Sequence, residues 1–102
     1  MSFSIIELEN SDFKDFINQE KVLIEFFAEW CGPCKIVLPV LEKLSKETKE
    51  VKFAKINIEE CAEVCSNLAI KSVPTIVYFE NGKEVRRNTG SLNEMKIKEM
   101  YV

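Results

Sequence analysis

An apolar run that ends in two cysteines at the mouth of a helix constrains this chain more than any other stretch. Val22-Leu23-Ile24-Glu25-Phe26-Phe27-Ala28 is apolar at both parities, the pattern of a strand covered on both faces. After Glu29 comes Trp30-Cys31-Gly32-Pro33-Cys34-Lys35. Ile36, Val37, Val40, Leu41 and Leu44 then recur at helical spacing and predict a helix to about Lys49. Pro33 suits the first turn of that helix, where its missing N–H removes no bond. Pro39 lies inside it and is expected to kink it. The cysteines therefore stand where unpaired backbone N–H groups favour a thiolate.

The flanking sequence supplies more strands and helices in alternation. Ile5 to Leu8 is expected as an edge strand. Asn10-Ser11-Asp12 offers a helix cap, and Phe13, Phe16 and Ile17 continue a helix toward Gln19. Val51 to Ile58 reads as a second central strand. Glu59 to Leu68 reads as a short helix with Cys61, Val64, Cys65 and Leu68 inward. Thr75 to Phe79 is strongly β-forming. Asn81-Gly82 follows as a hairpin turn, with Lys83 to Asn88 as the returning strand. Ser91 to Glu94 fits a capping box, opening a last helix anchored by Leu92, Met95 and Met100. The order β-α-β-α-β-α-β-β-α predicts an α/β protein: a five-stranded mixed sheet with helices on both faces.

Composition narrows the chemistry. At 102 residues the chain fits one domain, 1–102. A net charge of −3 without a Lys/Arg cluster argues against nucleic acid or an anionic membrane as partner. No apolar run reaches the roughly 20 residues of a spanning helix. Met1 to Ser4 lacks the basic start of a leader, so a cytoplasmic location is expected. There a close cysteine pair reads as metal-binding or catalytic. The chain has no histidine, which rules out Cys–His and Ser–His catalysis and imidazole zinc sites. Any proton transfer near neutral pH must use another group with a shifted pKa.

These marks resemble the thioredoxin family. The resemblance runs through Phe27-Ala28-Glu29-Trp30-Cys31-Gly32-Pro33-Cys34-Lys35, Pro39, Lys55, Val73-Pro74-Thr75, Asn81-Gly82 and Gly90. It covers residues 21 to 102 almost element by element, and the first 20 fit the family's opening strand and helix. It implies the thioredoxin fold, with four helices flanking the sheet, and a cis bond at Val73–Pro74. Glu25 stands where members usually have aspartate, Phe27 where bacterial members often have tryptophan, and Ser72 where many have glycine.

The resemblance implies a protein dithiol–disulfide oxidoreductase, a protein-disulfide reductase and electron carrier. Cys31 is expected to attack a target disulfide from the surface and form a mixed disulfide. Cys34, one helical turn on, is expected to resolve it from below, so Cys31 and Cys34 form the redox-active disulfide. Gly32-Pro33 implies a reducing poise. No bound cofactor is expected; electrons would come from NADPH through a thioredoxin reductase, and disulfide-containing proteins would be the substrates of a monomer. Trp30, Gly32, Pro33, Val73, Pro74 and Gly90 would form the docking surface around Cys31. A disulfide isomerase-like enzyme and a redox-inactive binding module are the competing readings.

Glu25 and Lys55 are the unusual residues outside the motif, each a charge within an apolar strand. Such groups must be paired or carry shifted pKa values. In adjacent parallel strands they can face each other. The resemblance puts them beneath Cys34, so Glu25 is either the proton acceptor or a structural partner of Lys55. Cys61 and Cys65, at i and i+4, are either small core residues or regulatory thiols. A zinc site built from all four cysteines would consume the active site, so no metal is expected.

Overall fold

The computed structural model describes residues 5–102. Met1 to Ser4, on which the expectation about a leader rests, lie outside them. The described chain runs β1 (Ile6–Glu7), α1 (Asn10–Ile17), β2 (Lys21–Phe27), α2 (Gly32–Glu47), β3 (Lys52–Asn57), α3 (Ala62–Asn67), β4 (Thr75–Glu80), β5 (Lys83–Thr89) and α4 (Glu94–Tyr101). The five strands form one sheet in the order β1-β3-β2-β4-β5. β2 lies at its centre, parallel to β3 and antiparallel to β4. This is the mixed five-stranded sheet with four helices that the sequence predicts.

Period-two alternation along β2 divides the core between the two faces. Leu23 joins Val37, Leu41 and Leu44 of α2 and Ile97 and Met100 of α4. Val22, Ile24 and Phe26 join Ile17 of α1 and Val64 and Cys65 of α3. Glu25 shares the parity of Leu23, so it faces α2, the helix that carries the cysteines. The parallel strands β2 and β3 both end at the edge where α2 begins. The Asn81-Gly82 turn has positive φ at both positions, 53° and 86°, as a tight hairpin requires.

Several elements differ from the expectation. β1 is only two residues long, because Ile5 and Leu8 turn inward as buried core residues on either side of it. α1 is capped by Glu9, whose N–H donates to Asp12 Oδ2 at 3.0 Å. Asn10 is already helical, and its Oδ1 accepts from the Val64 N–H at the start of α3. α3 is shorter than expected, with Cys61 as its N-cap. Asn57 turns the chain before it, accepting from the Glu59 and Cys61 N–H groups.

α4 starts at Glu94, not at Ser91. Asn93 is its cap, and its Oδ1 accepts from Lys96 N at 2.9 Å. Met95, expected as an anchor, is 68% exposed; Ile97, Met100 and Tyr101 form the inner stripe instead. Ile36 is likewise 73% exposed, because α2 buries Cys34, Val37, Leu41 and Leu44, and Ile36 falls off that stripe. Pro39 stays within α2 on its exposed side.

Candidate active site

The fold delivers Cys31 to the N-cap of α2 and Cys34 to its first turn. Cys31 has extended backbone, φ −90° and ψ 105°, and Gly32-Pro33 begins the helix without an acidic residue in the first turn. The two cysteines are joined by a disulfide with Cα atoms 5.3 Å apart. The Cys34 N–H donates to Cys31 Sγ at 3.1 Å. A sulfur that accepts a helix N-terminal N–H is stabilised as an anion, by that bond and by the positive end of the helix dipole. Contrary to the surface position expected of it, Cys31 is 3% exposed, and Cys34 is 2% exposed. Both pack with Ala28, against Phe27, Ile58 and Val73. The attacking sulfur is thus recessed in an apolar seat, while Trp30, Gly32 and Pro33 around it are exposed.

The other docking candidates lie in two groups. Val73 is half-buried against the cysteine cluster and precedes a cis bond to the buried Pro74. Gly90 has φ 103°, and its N–H donates to Pro74 O at 2.8 Å, tying the end of β5 to the cis-proline turn. The Thr75 hydroxyl donates to Ser72 O at 2.7 Å and closes the same turn. Trp30 is 66% exposed but not loose, since its Nε1–H donates to Glu59 Oε2 at 2.8 Å. Sequence reasoning misses Glu59. The one signal for it is its position just past β3, whose end lies beside that of the parallel β2.

Beneath α2 lies a cavity of about 200 Å³ lined by Glu25, Cys34, Lys55, Phe27, Lys35 and Leu38, among others. Glu25 and Lys55 are register partners across β2 and β3, so they do face each other. They form no ion pair. The four salt bridges among the described residues all lie elsewhere, and Glu25 Oε2 is buried without a hydrogen-bond partner. Lys55 Nζ instead sits over the Phe27 ring, 5.5 Å from its centroid. Of the two outcomes open to a buried carboxylate, the structure has the second. Burial raises the Glu25 pKa from 4.5 to about 8, and the Lys55 charge pulls it down only in part.

Cys61 and Cys65 are not part of this site. Both are free and buried in the core on the opposite face of the sheet. Cys61 donates its S–H to Leu8 O at 3.4 Å. Its pKa is raised by burial first and then by Glu60, Glu7, Glu9 and Asp12. The Cys65 pKa is pushed up to about 11, chiefly by burial. Neither is a ready nucleophile. Among the described residues no cluster of three or more histidine, cysteine or carboxylate side chains could hold a metal ion. No helix among them is long and apolar enough to cross a membrane.

The thioredoxin family profile matches residues 4–101. The chain belongs to the thioredoxin family. It is 44% identical over 86 residues to a thioredoxin of Chlamydia caviae, covering 84% of this chain and 82% of that protein. It is 45% identical over 82 residues to a thioredoxin of Mycoplasma pneumoniae, covering 80% of each. Among solved structures, a point-mutant thioredoxin from Halobacterium salinarum superposes with a TM-score of 0.88 at 30% identity, over 99% of this chain and 91% of that one. Oxidised mitochondrial thioredoxin 3 of Saccharomyces cerevisiae gives 0.86 at 31% identity, over 94% and 92%. With Cys31–Cys34 as its redox pair, the chain is a dithiol–disulfide oxidoreductase with protein-disulfide reductase activity.

Proposed function

We propose that the reduction runs through Cys31 attack and Cys34 resolution, with Glu25 as the proton acceptor. The observation that carries this reading is the Cys34 N–H bond to Cys31 Sγ at the N-cap of α2. The Cys31 thiolate attacks one sulfur of a protein disulfide. A mixed disulfide forms as the target bond breaks, and the first target sulfur leaves as a thiolate. Cys34 then gives its proton to the Glu25 carboxylate and attacks Cys31 Sγ. The Cys31–Cys34 bond forms as the mixed disulfide breaks, and the second target sulfur leaves. Two electrons have passed to the target.

Glu25 supports its role by lying on the face under α2, in the cavity that Cys34 also lines. A cavity of about 200 Å³ has room for water to relay the proton. Trp30, Gly32, Pro33, Val73, Pro74 and Gly90 dock the target, whose extended backbone pairs with that of Val73 in the manner of an added strand. A thioredoxin reductase drawing on NADPH returns the disulfide to the dithiol. No cofactor stays bound, and the protein works as a cytoplasmic monomer.

Insulin-disulfide reduction with serine variants tests the division of labour. Cys34→Ser should trap a stable mixed disulfide with the target and stop turnover. Cys31→Ser should form no mixed disulfide at all. A Cys31→Ser protein that still captures the target through Cys34 would reverse the assignment.

A further inference from the structure

The ammonium of Lys55 has two places to go. It faces a buried carboxyl, Glu25, directly across the strand pair. It also lies one step from Phe27, which follows Glu25 by two residues on the same side of β2 and pairs in register with Asn57. Opposite charge would favour Glu25, and a desolvated ion pair there would be strong. The side chain leans the other way, with Nζ 5.5 Å from the Phe27 centroid and no ion pair to Glu25. That distance is within cation–π range, where the negative face of the ring attracts a cation. Lys55 is half-buried while Glu25 is 1% exposed, so the lysine is the more solvent-accessible of the two. Glu25 Oε2 is left unpartnered.

We propose that Phe27 is a positioning residue for the second half of the reaction. Its ring holds the Lys55 ammonium off the Glu25 carboxyl and so sets the pH at which Glu25 exchanges its proton with Cys34. This deepens the reading of Glu25 as proton acceptor and rests on it. The groups around Glu25 support the assignment. Lys55 comes from β3, Lys35 and Cys34 from α2, and Glu29 from the segment after β2; all line the cavity. On the β4 side the register partner is the apolar Ile76. Lys55 is thus the cation in register with the carboxyl, and the Phe27 ring governs its distance. The raised pKa of Glu25, only partly offset by Lys55, accords with a cation held back.

The test is a carbon-detected NMR titration of the Glu25 carboxyl in the oxidised protein, where Cys34 does not titrate. Phe27→Leu removes the ring and frees Lys55 to swing onto Glu25. The Glu25 midpoint should fall by about one pH unit, the size of shift an adjacent opposite charge produces. Phe27→Trp keeps an aromatic face and should restore the wild-type midpoint. Lys55→Met should raise the midpoint, and in that background Phe27→Leu should have no further effect.

An unchanged midpoint in Phe27→Leu overturns the proposal. So does an equal fall in the Lys55→Met background, which would mean that water entering the cavity, not the cation, moves the titration. The wild-type protein supplies a check that needs no variant. A ring under Nζ should shift the Lys55 ε-protons upfield, and random-coil shifts there would contradict it. The titration decides the positioning of Lys55, and the resolution rate of Glu25→Gln decides the acceptor role, so the two fail separately.

Discussion

Two cysteine pairs in this chain each begin at the N-cap of a helix, and only one is built for chemistry. Cys31 caps α2 and Cys61 caps α3, and each has a second cysteine within the next turn. Cys31 Sγ accepts the Cys34 N–H, whereas Cys61 makes no side-chain cap and donates its S–H to Leu8 O. An accepted N–H favours the thiolate; a donated S–H favours the thiol. α2 has no acidic residue in its first turn and runs 16 residues. α3 runs six residues, with Glu63 in its first turn and Glu60 just before its cap. The Cys31–Cys34 side of the sheet contains a carboxyl-lined cavity, while Cys65 faces apolar core. A helix start is therefore not enough to activate a cysteine. Burial does most to keep Cys61 and Cys65 as thiols, and at Cys61 the direction of the sulfur's hydrogen bond and the nearby acidic charge add to it.

The largest effect should come from exchanging which pair is intact. Cys31→Ala should abolish insulin-disulfide reduction. Cys61→Ala combined with Cys65→Ala should leave the rate within about twofold, as expected for substitutions outside a site. The double variant should lose stability by about 2 to 5 kcal/mol in denaturant unfolding, because two buried side chains shrink.

Next is the proposed proton acceptor, Glu25, in the cavity that Cys34 lines. Glu25→Gln should slow resolution of the mixed disulfide by about 100-fold, the lower end of general-base contributions, in a stopped-flow trace. The same variant has a stability signature. The folded pKa of Glu25 is raised from 4.5 to about 8, so folding holds a proton that the unfolded chain releases. Wild-type stability relative to Glu25→Gln should be greatest below about pH 4.5 and fall as pH climbs to about 8. The swing should reach a few kcal/mol and then level off. A difference independent of pH would place the Glu25 pKa at its ordinary value.

Smaller changes should move one pair toward the other. Lys35→Glu puts an acidic charge in the first turn of α2. It should slow Cys31 alkylation at pH 7 by about two- to fivefold, the weight of one charge at a helix terminus. Glu60→Gln removes the charge that, after burial, does most to raise the Cys61 pKa. It should speed Cys61 alkylation by no more than about twofold, because an exposed charge couples weakly through water.

Much of this contrast is legible in the chain itself. The apolar run 22–28 marks the central strand, Pro33 marks the start of α2, and Asn81-Gly82 marks the hairpin. In each case local chemistry permits few conformations. The phase of a helix is harder to read. Ile36 and Met95 are apolar and close to the inner stripes, but tertiary packing rotates α2 and α4 so that both face outward. The apolar runs around Glu25 and Lys55 mark two strands in which the pair can face each other, and the register brings them opposite. Which way the lysine stem leans depends on the ring at 27, a contact that strand pairing alone does not specify. The difference between the two N-caps depends on hydrogen-bond direction at sulfur, and residue spacing carries no record of that.

The most direct test of the contrast is a timed iodoacetamide pulse on the reduced, folded protein at pH 7, with each cysteine quantified by peptide mass spectrometry. Cys31 should be labelled to completion while Cys61 and Cys65 remain unmodified. Labelling of Cys61 or Cys65 at a rate comparable to Cys31 would contradict the claim that burial, hydrogen-bond direction and local charge, rather than a helix start alone, separate the reactive thiol from the inert pair.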